Sequence, residues 1–155
     1  MDADFKKLLA RVNELKKSPD FDLSLEEDLS LAIMNLISLE EHFFMTSQKT
    51  GQSEYLKLMD TTREIRKKLL AKMIPQHEGE TWCITKHLLA ATMRLIEVGT
   101  KSKSQEYFDY AYQLYSLFWA LRLKLIKLPQ IKSAVKNESM TLQDITTQLV
   151  DCCRE

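Results

Sequence analysis

Apolar residues recur at intervals of three and four through most of this chain, which is the spacing of one face of an α-helix. The first such stretch, residues 1–17, predicts a short amphipathic helix. Its apolar face consists of Phe5, Leu8, Leu9, Val12 and Leu15. The Ser18-Pro19 pair is expected to end it, because proline disfavours helical backbone in the residue before it.

A long helix is predicted next. Ser24 and Glu27 have the spacing of a capping box, in which each side chain satisfies a backbone N–H of the first turn. Gly51 is placed to end this helix in a left-handed conformation. Its apolar stripe is predicted to contain Leu25, Leu29, Ala32, Ile33, Leu36 and Phe43.

Two further helices are separated by a predicted loop. Ser53 can cap the first of them, and Pro75 closes it. Its predicted buried face contains Tyr55, Leu58, Thr62, Ile65 and Leu69. Pro75 and Gly79 mark the loop, and the following helix is expected over about residues 81–98, with Gly99 ending it.

The last long helix is predicted to begin at a second capping box, formed by Ser102 and Gln105. Its apolar positions are Tyr107, Tyr110, Ala111, Leu114, Leu117, Phe118, Leu121 and Leu125. Residues 127–139 are rich in lysine and weakly patterned, which predicts a linker, and residues 140–154 outline a short C-terminal helix.

Composition supports an all-α fold. Only three glycines and three prolines occur in 155 residues, too few for the tight turns of an all-β protein. Short connections make consecutive helices antiparallel neighbours. We therefore predict a single domain, residues 1–155, with an antiparallel up-down-up-down four-helix bundle core at 24–126 and short additional N- and C-terminal helices.

Charge and cysteine content narrow the classes of function. Lysine plus arginine equals aspartate plus glutamate at 22 each, so no net field favours nucleic acid or an anionic membrane. The charge is uneven, with six basic and ten acidic residues in 1–50 but seven basic and two acidic in 101–136. Cys83, Cys152 and Cys153 form no legible disulfide framework. We expect a cytoplasmic protein, because neither a signal segment nor a long apolar run is present.

The residues best suited to chemistry lie on two of the predicted helices. Cys83 and His87 are four apart, so both can reach one metal ion from the same helix face. Glu40 falls on the apolar stripe of its helix, where an acid must be paired, protonated or metal-bound. These three residues are a candidate site for zinc or another transition metal.

A polar-core interpretation competes with the metal site. Cysteine is a common core residue, a histidine on an apolar face usually bonds a carbonyl, and Glu40 could pair with Arg94 or Arg66. A catalytic cysteine would need His87 to lower its thiol pKa. No Glu-x-x-His pair, phosphate-binding glycine loop or nucleophile motif occurs, so we predict no catalytic residues.

Apolar residues occupy a second side of the last two long helices. These residues are Leu89, Met93, Ile96, Phe108, Tyr115 and Trp119. Such a second side predicts an interface with a subunit or partner, or a surface that the terminal helices cover.

We therefore expect a non-enzymatic bundle that acts through a protein partner or its own oligomer, without nucleic acid or membrane as partner. The alternatives are a metal-binding bundle with redox or hydrolytic activity, and a bundle that binds an apolar small molecule between its helices.

Overall fold

The computed structural model describes residues 10, 12–19, 21–74 and 80–124. Within these ranges the chain forms four long helices, with a helical stretch at 12–17 ahead of them. The long helices are α1 (Leu23–Thr50), α2 (Glu54–Met73), α3 (Glu80–Ser102) and α4 (Gln105–Arg122). The predicted all-α four-helix bundle is confirmed. The first turns of the predicted N-terminal helix, the 75–79 loop, the 127–139 linker and the C-terminal helix lie outside the described residues.

The helices pack as two hairpins, α1 with α2 and α3 with α4, and α1 also packs against α3. The buried core draws on all four helices and the residue that ends α2. Its members are Ile33, Met34, Ile37, Leu70, Met73, Ile74, Trp82, Cys83, Leu88, Leu89, Phe118 and Leu121. In the part of the chain that the structure describes, no helix combines the length and apolar character needed to cross a bilayer.

The ends of α1 are fixed by one residue that the sequence pattern missed and one that it identified. Asp22, rather than Ser24, is the N-cap: its Oδ1 accepts hydrogen bonds from the backbone N–H groups of Ser24 at 3.0 Å and Leu25 at 3.2 Å. The predicted start is therefore two residues late. Gly51 ends the helix with φ of 69°, a left-handed conformation in which glycine carries no Cβ penalty.

The junction between α3 and α4 differs from its prediction. The Ser102 hydroxyl donates to the Val98 carbonyl inside α3, so it does not open the next helix. Ser104 stands at the N-cap of α4 and makes no capping bond with its side chain. The chain reverses through Lys103, whose φ is 53°.

Gly99 was predicted to end α3, but it lies buried within that helix. Its role is close packing, because a Cβ built on Gly99 would lie 3.0 Å from Cε1 of Phe108 on α4. The missing side chain lets the Phe108 ring approach the α3 backbone. The close contact between the two helices therefore offsets part of the low helix propensity of glycine at this position.

Replacing Gly99 by leucine should therefore destabilise the protein. Overpacking at such a contact costs about 1–3 kcal/mol, which outweighs the gain in helix propensity. Urea unfolding measures the change, and Lys101→Leu, at an exposed position on the same helix, serves as the control. If Phe108→Ala does not restore part of the lost stability in the double variant, the ring contact is not the cause.

The buried side of α1 is turned about a quarter of a turn from the predicted apolar stripe. Leu25 belongs to that stripe but is 65% exposed. The residues that α1 buries are instead Ser30, Ile33, Met34, Ile37, Glu40 and Ser47. Because three of these six are polar, apolar spacing alone could not locate the buried side.

The buried side of α2 is also turned away from its predicted apolar stripe, in the same direction as on α1. Leu58 and Ile65, both predicted to be buried, are each 48% exposed, whereas Arg66 and Leu70 are buried. The predicted stripes of α1 and α2 thus contain apolar residues that the described part of the chain leaves partly uncovered.

Candidate functional site

Glu40 points into the bundle, as predicted, and two arginines of α2 hold its carboxylate. Arg66 donates from Nε to Oε1 at 2.8 Å and from Nη2 to Oε2 at 3.3 Å. Arg63 donates from Nε to Oε2 at 3.0 Å. The two arginines are three residues apart, so both reach the same level of α1. The buried acid is therefore compensated by two positive charges.

The two arginines differ in their burial. The Arg66 side chain is 2% exposed, whereas that of Arg63 is 38% exposed. A desolvated guanidinium depends on its carboxylate partner much more than an exposed one does. Arg66 is thus the principal partner of Glu40, in agreement with one of the two pairings considered from the sequence.

Arg94, the other partner considered for Glu40, is placed elsewhere. Its Nη2 donates to Oγ of Ser38 at 2.9 Å, and its Nε lies 3.7 Å from Oε2 of Glu41. Both members of this ion pair are about half exposed, so the pair contributes little to stability. Arg94 thus links α3 to α1 by contacts at the surface of the bundle.

Cys83 and His87 occupy different environments. Cys83 is 2% exposed and belongs to the apolar core beside Trp82, whereas His87 is exposed. Among the described residues, no three His, Cys, Asp or Glu side chains group closely enough to hold a metal ion. The candidate ligands Cys83, His87 and Glu40 are therefore not brought together as a set.

The three helices around Glu40 enclose a cleft of about 720 Å³. Polar and apolar side chains share its walls. Its lining consists of Ile37, Glu40, Glu41, Phe44, Met59, Arg63, Arg66, Lys86, His87 and Ala90. A volume of this size lies within the roughly 300–1,000 Å³ of small-molecule sites.

Lys86 adds a third basic side chain to this cleft. Burial lowers the pKa of its ammonium group, and the positive charge of Arg66 lowers it further, while Glu40 acts in the opposite direction. The cleft therefore disfavours the charged form of Lys86 relative to water.

Two polar contacts join α1 to α4. The hydroxyls of Ser30 and Tyr115 lie 2.6 Å apart, and Arg122 donates from Nε and Nη2 to the two carboxylate oxygens of Glu26, each at 2.9 Å. Sequence reasoning missed both pairs, because each joins residues more than 80 positions apart. The only local signal was a serine, Ser30, between apolar positions of α1.

Most of the residues predicted to form an interface pack within the chain. Leu89 is fully buried, and Met93, Tyr115 and Trp119 pack against the core. Phe108 packs on Gly99, and Ile96 is the most exposed of the set at 36%. Leu89 in particular is not available to a partner, because α3 packs against two neighbours, α4 and α1, and therefore buries apolar area on two sides.

Comparison with known proteins found no matching family model, no matching curated protein and no matching solved structure.

Proposed function

We propose that this protein is a non-enzymatic helical module that works by binding another protein chain, and that a second copy of itself is that chain. The observation that carries the proposal is an apolar surface on the α1–α2 hairpin, turned away from α3 and α4. This surface, the outer face, consists of Leu36, Leu39, Phe43, Leu58 and Ile65.

We infer that the outer face is continuous across the two helices. The bonds from Arg63 and Arg66 to Glu40 set the register of the hairpin, which places Ile65 at the level of Leu39. The rings of Phe43 and Tyr55, with centroids 6.5 Å apart, form a further contact between the two helices, towards the loop that joins them. Apolar residues from both helices therefore form one patch.

Three of its five residues are exposed, and the other two, Leu36 and Phe43, are half-buried. Leu39 is 39% exposed, and Leu58 and Ile65 are each 48% exposed. Single exposed leucines are common, but a contiguous apolar patch usually marks an interaction surface. It is also the surface toward which the apolar periodicity of both helices points.

A second copy suits this surface for two reasons. An isologous contact places the same patch on both partners, and five apolar residues without a charge among them can meet their own copy without an unpaired ion. The net charge of zero means that two copies carry no net repulsion.

Multi-angle light scattering after size-exclusion chromatography tests the proposal. At tens of micromolar we expect twice the chain mass of 18.1 kDa. Ile65→Glu should raise the dimer dissociation constant at least tenfold, since it places a charge in the contact. Tyr112→Glu, at an α4 position that is 74% exposed, is the matched control and should remain dimeric.

Circular dichroism separates loss of association from loss of folding. Ile65→Glu is expected to keep its helical signal and a cooperative thermal transition. A wild-type chain that stays at 18.1 kDa over the whole concentration range would overturn the proposal. So would a folded Ile65→Glu variant that dimerises as well as the wild type.

A further inference from the structure

We propose that residues 140–154 of this chain bind, as an amphipathic helix, to an apolar groove on the α3–α4 hairpin. This groove, the hairpin groove, lies on the side turned away from α1. It consists of Ala91, Leu95, Val98, Tyr110, Leu114 and Leu117. The inference is independent of the proposed function, since the outer face belongs to the α1–α2 hairpin.

One wall of the hairpin groove is a second apolar stripe on α3. Val98 is 42% exposed, and Ala91 and Leu95 are half-buried. Leu89 is fully buried in the core, and Ala91, two residues further on, points to nearly the opposite side of the helix. The whole stripe has the alternating four-three spacing of a helix that packs along a seam: Ile84, Leu88, Ala91, Leu95 and Val98.

The other wall is an apolar stripe on α4. Tyr110 is 45% and Leu117 40% exposed, and Leu114 is half-buried. Tyr115 meets Ser30 of α1, so Leu117, two residues further on, points to nearly the opposite side of α4. This stripe too has four-three-four spacing: Tyr110, Leu114, Leu117 and Leu121.

The two stripes run side by side along the antiparallel hairpin. The contact between Gly99 and Phe108 sets the register, which places Val98 at about the level of Tyr110 and Ala91 at about that of Leu117. The buried residues Leu88 and Leu121 belong to the same stripes and form the floor between them. Two parallel seams of this kind accept a third helix whose apolar residues have the same spacing.

The described part of the chain ends beside this groove. Lys124 follows α4 with φ of 55°, and its N–H donates to the Leu121 carbonyl at 3.0 Å. A left-handed residue at this place turns the chain out of the helix. Gly51 and Lys103 have the same conformation at the ends of α1 and α3, and each time the next helix packs against the one that has just ended. The chain after Lys124 is thus placed to return along α4.

The occupant is the segment 140–154, which lies outside the described residues. Its apolar residues, spaced by three, four and three, are Leu142, Ile145, Leu149 and Cys152. Thr146 and Gln148 flank this stripe, so docking buries no charge. The fifteen residues 125–139 span up to about 50 Å when extended, whereas the 18 residues of α4 extend over about 27 Å. The segment can therefore reach every level of the groove.

Hydrogen–deuterium exchange of the full chain, followed by mass spectrometry, tests the proposal. We expect the amides of 140–154 to exchange at least tenfold more slowly than those of an unstructured peptide of the same sequence. Leu117→Asp in the groove and Ile145→Asp on the segment should each remove this protection, because each places a carboxylate in the apolar contact. The matched controls Tyr112→Asp, at an α4 position 74% exposed, and Thr147→Asp, off the stripe, should leave it unchanged.

Two further readouts separate loss of docking from loss of folding. The amides of α1 and α2 should stay protected in every variant. The thiol of Cys83, which is 2% exposed, should stay unreactive toward Ellman's reagent. Ile65→Glu on the outer face should leave the protection of 140–154 unchanged, which distinguishes the hairpin groove from the outer face as the docking surface.

Exchange of 140–154 at the unstructured rate in the wild type would overturn the proposal. So would protection that Leu117→Asp leaves intact, or protection that Ile65→Glu removes, since the segment would then cover the outer face. Protection that falls on dilution would assign the groove to a second copy. Deprotection of residues 1–17 by Leu117→Asp, with 140–154 unaffected, would assign it to the N-terminal segment, and either result contradicts docking of 140–154 within one chain.

Discussion

Replacing Glu40 by glutamine should lower the free energy of unfolding by about 3–5 kcal/mol, since removing one member of a buried ion pair leaves the other charge uncompensated. The charge left behind is the Arg66 guanidinium, whose side chain is 2% exposed and therefore cannot regain water without moving. Lys86 adds to the penalty, because Glu40 favours its charged form. Urea unfolding followed by circular dichroism measures the loss.

Three further variants show whether burial is the cause. Glu41→Gln, one residue along and half exposed in its pair with Arg94, should change stability by less than about 1 kcal/mol. Arg66→Met should cost as much as Glu40→Gln, while Arg63→Met should cost far less, because Arg63 is 38% exposed. The double variant Glu40→Leu with Arg66→Met should be more stable than either single change. Equal losses for Glu40→Gln and Glu41→Gln would contradict this account.

The helices of this protein could be predicted from its sequence more reliably than their buried sides. Apolar spacing and the glycine at residue 51 located α1, but the spacing could not show that Ser30, Glu40 and Ser47 lie inside. A polar residue is tolerated in the interior when a partner bonds to it, and the partners of Ser30 and Glu40 are on other helices. Glu40 was the exception, because an acid among apolar positions was expected to be paired, protonated or metal-bound, and the structure shows the pair with Arg66.

The α3–α4 hairpin shows a second limit of sequence patterns. Gly99 and the Ser102-Gln105 pair match the local signals for a helix end and a helix start, yet α3 continues through Gly99 to Ser102. The Phe108 ring packs against the glycine backbone, a contact that forms only when the two helices come together. A tertiary contact thus overrides a local propensity of about 1 kcal/mol.

Only part of the candidate site could be predicted, again because sequence patterns do not reveal tertiary contacts. Helical spacing correctly placed Cys83 and His87 on one helix, one turn apart. Spacing does not show which of the two residues a neighbouring helix buries. Cys83 is buried in the core and His87 is exposed at the edge of the cleft. The cleft itself could not be predicted, since its walls come from three helices.

Replacing Phe118 by alanine should also lower the free energy of unfolding by about 3–5 kcal/mol, the cost of emptying a fully buried aromatic position. Phe118 is 0% exposed. Its ring is stacked on Tyr115 at 6.0 Å between centroids and meets Trp119 edge-on at 5.5 Å. The substitution therefore removes core volume and two aromatic contacts together.

The matched control for Phe118→Ala is Tyr112→Ala on the same helix, at a position 74% exposed, which should change stability by less than about 0.5 kcal/mol. The loss at Phe118 should also couple to Tyr115, whose hydroxyl lies 2.6 Å from that of Ser30 on α1. Without the stacked ring, Tyr115 is less firmly held, so Tyr115→Phe should cost less in the Phe118→Ala background than in the wild type. If the two losses add, the Phe118 ring does not position that hydrogen bond, and the α1–α4 contact forms independently of the aromatic cluster.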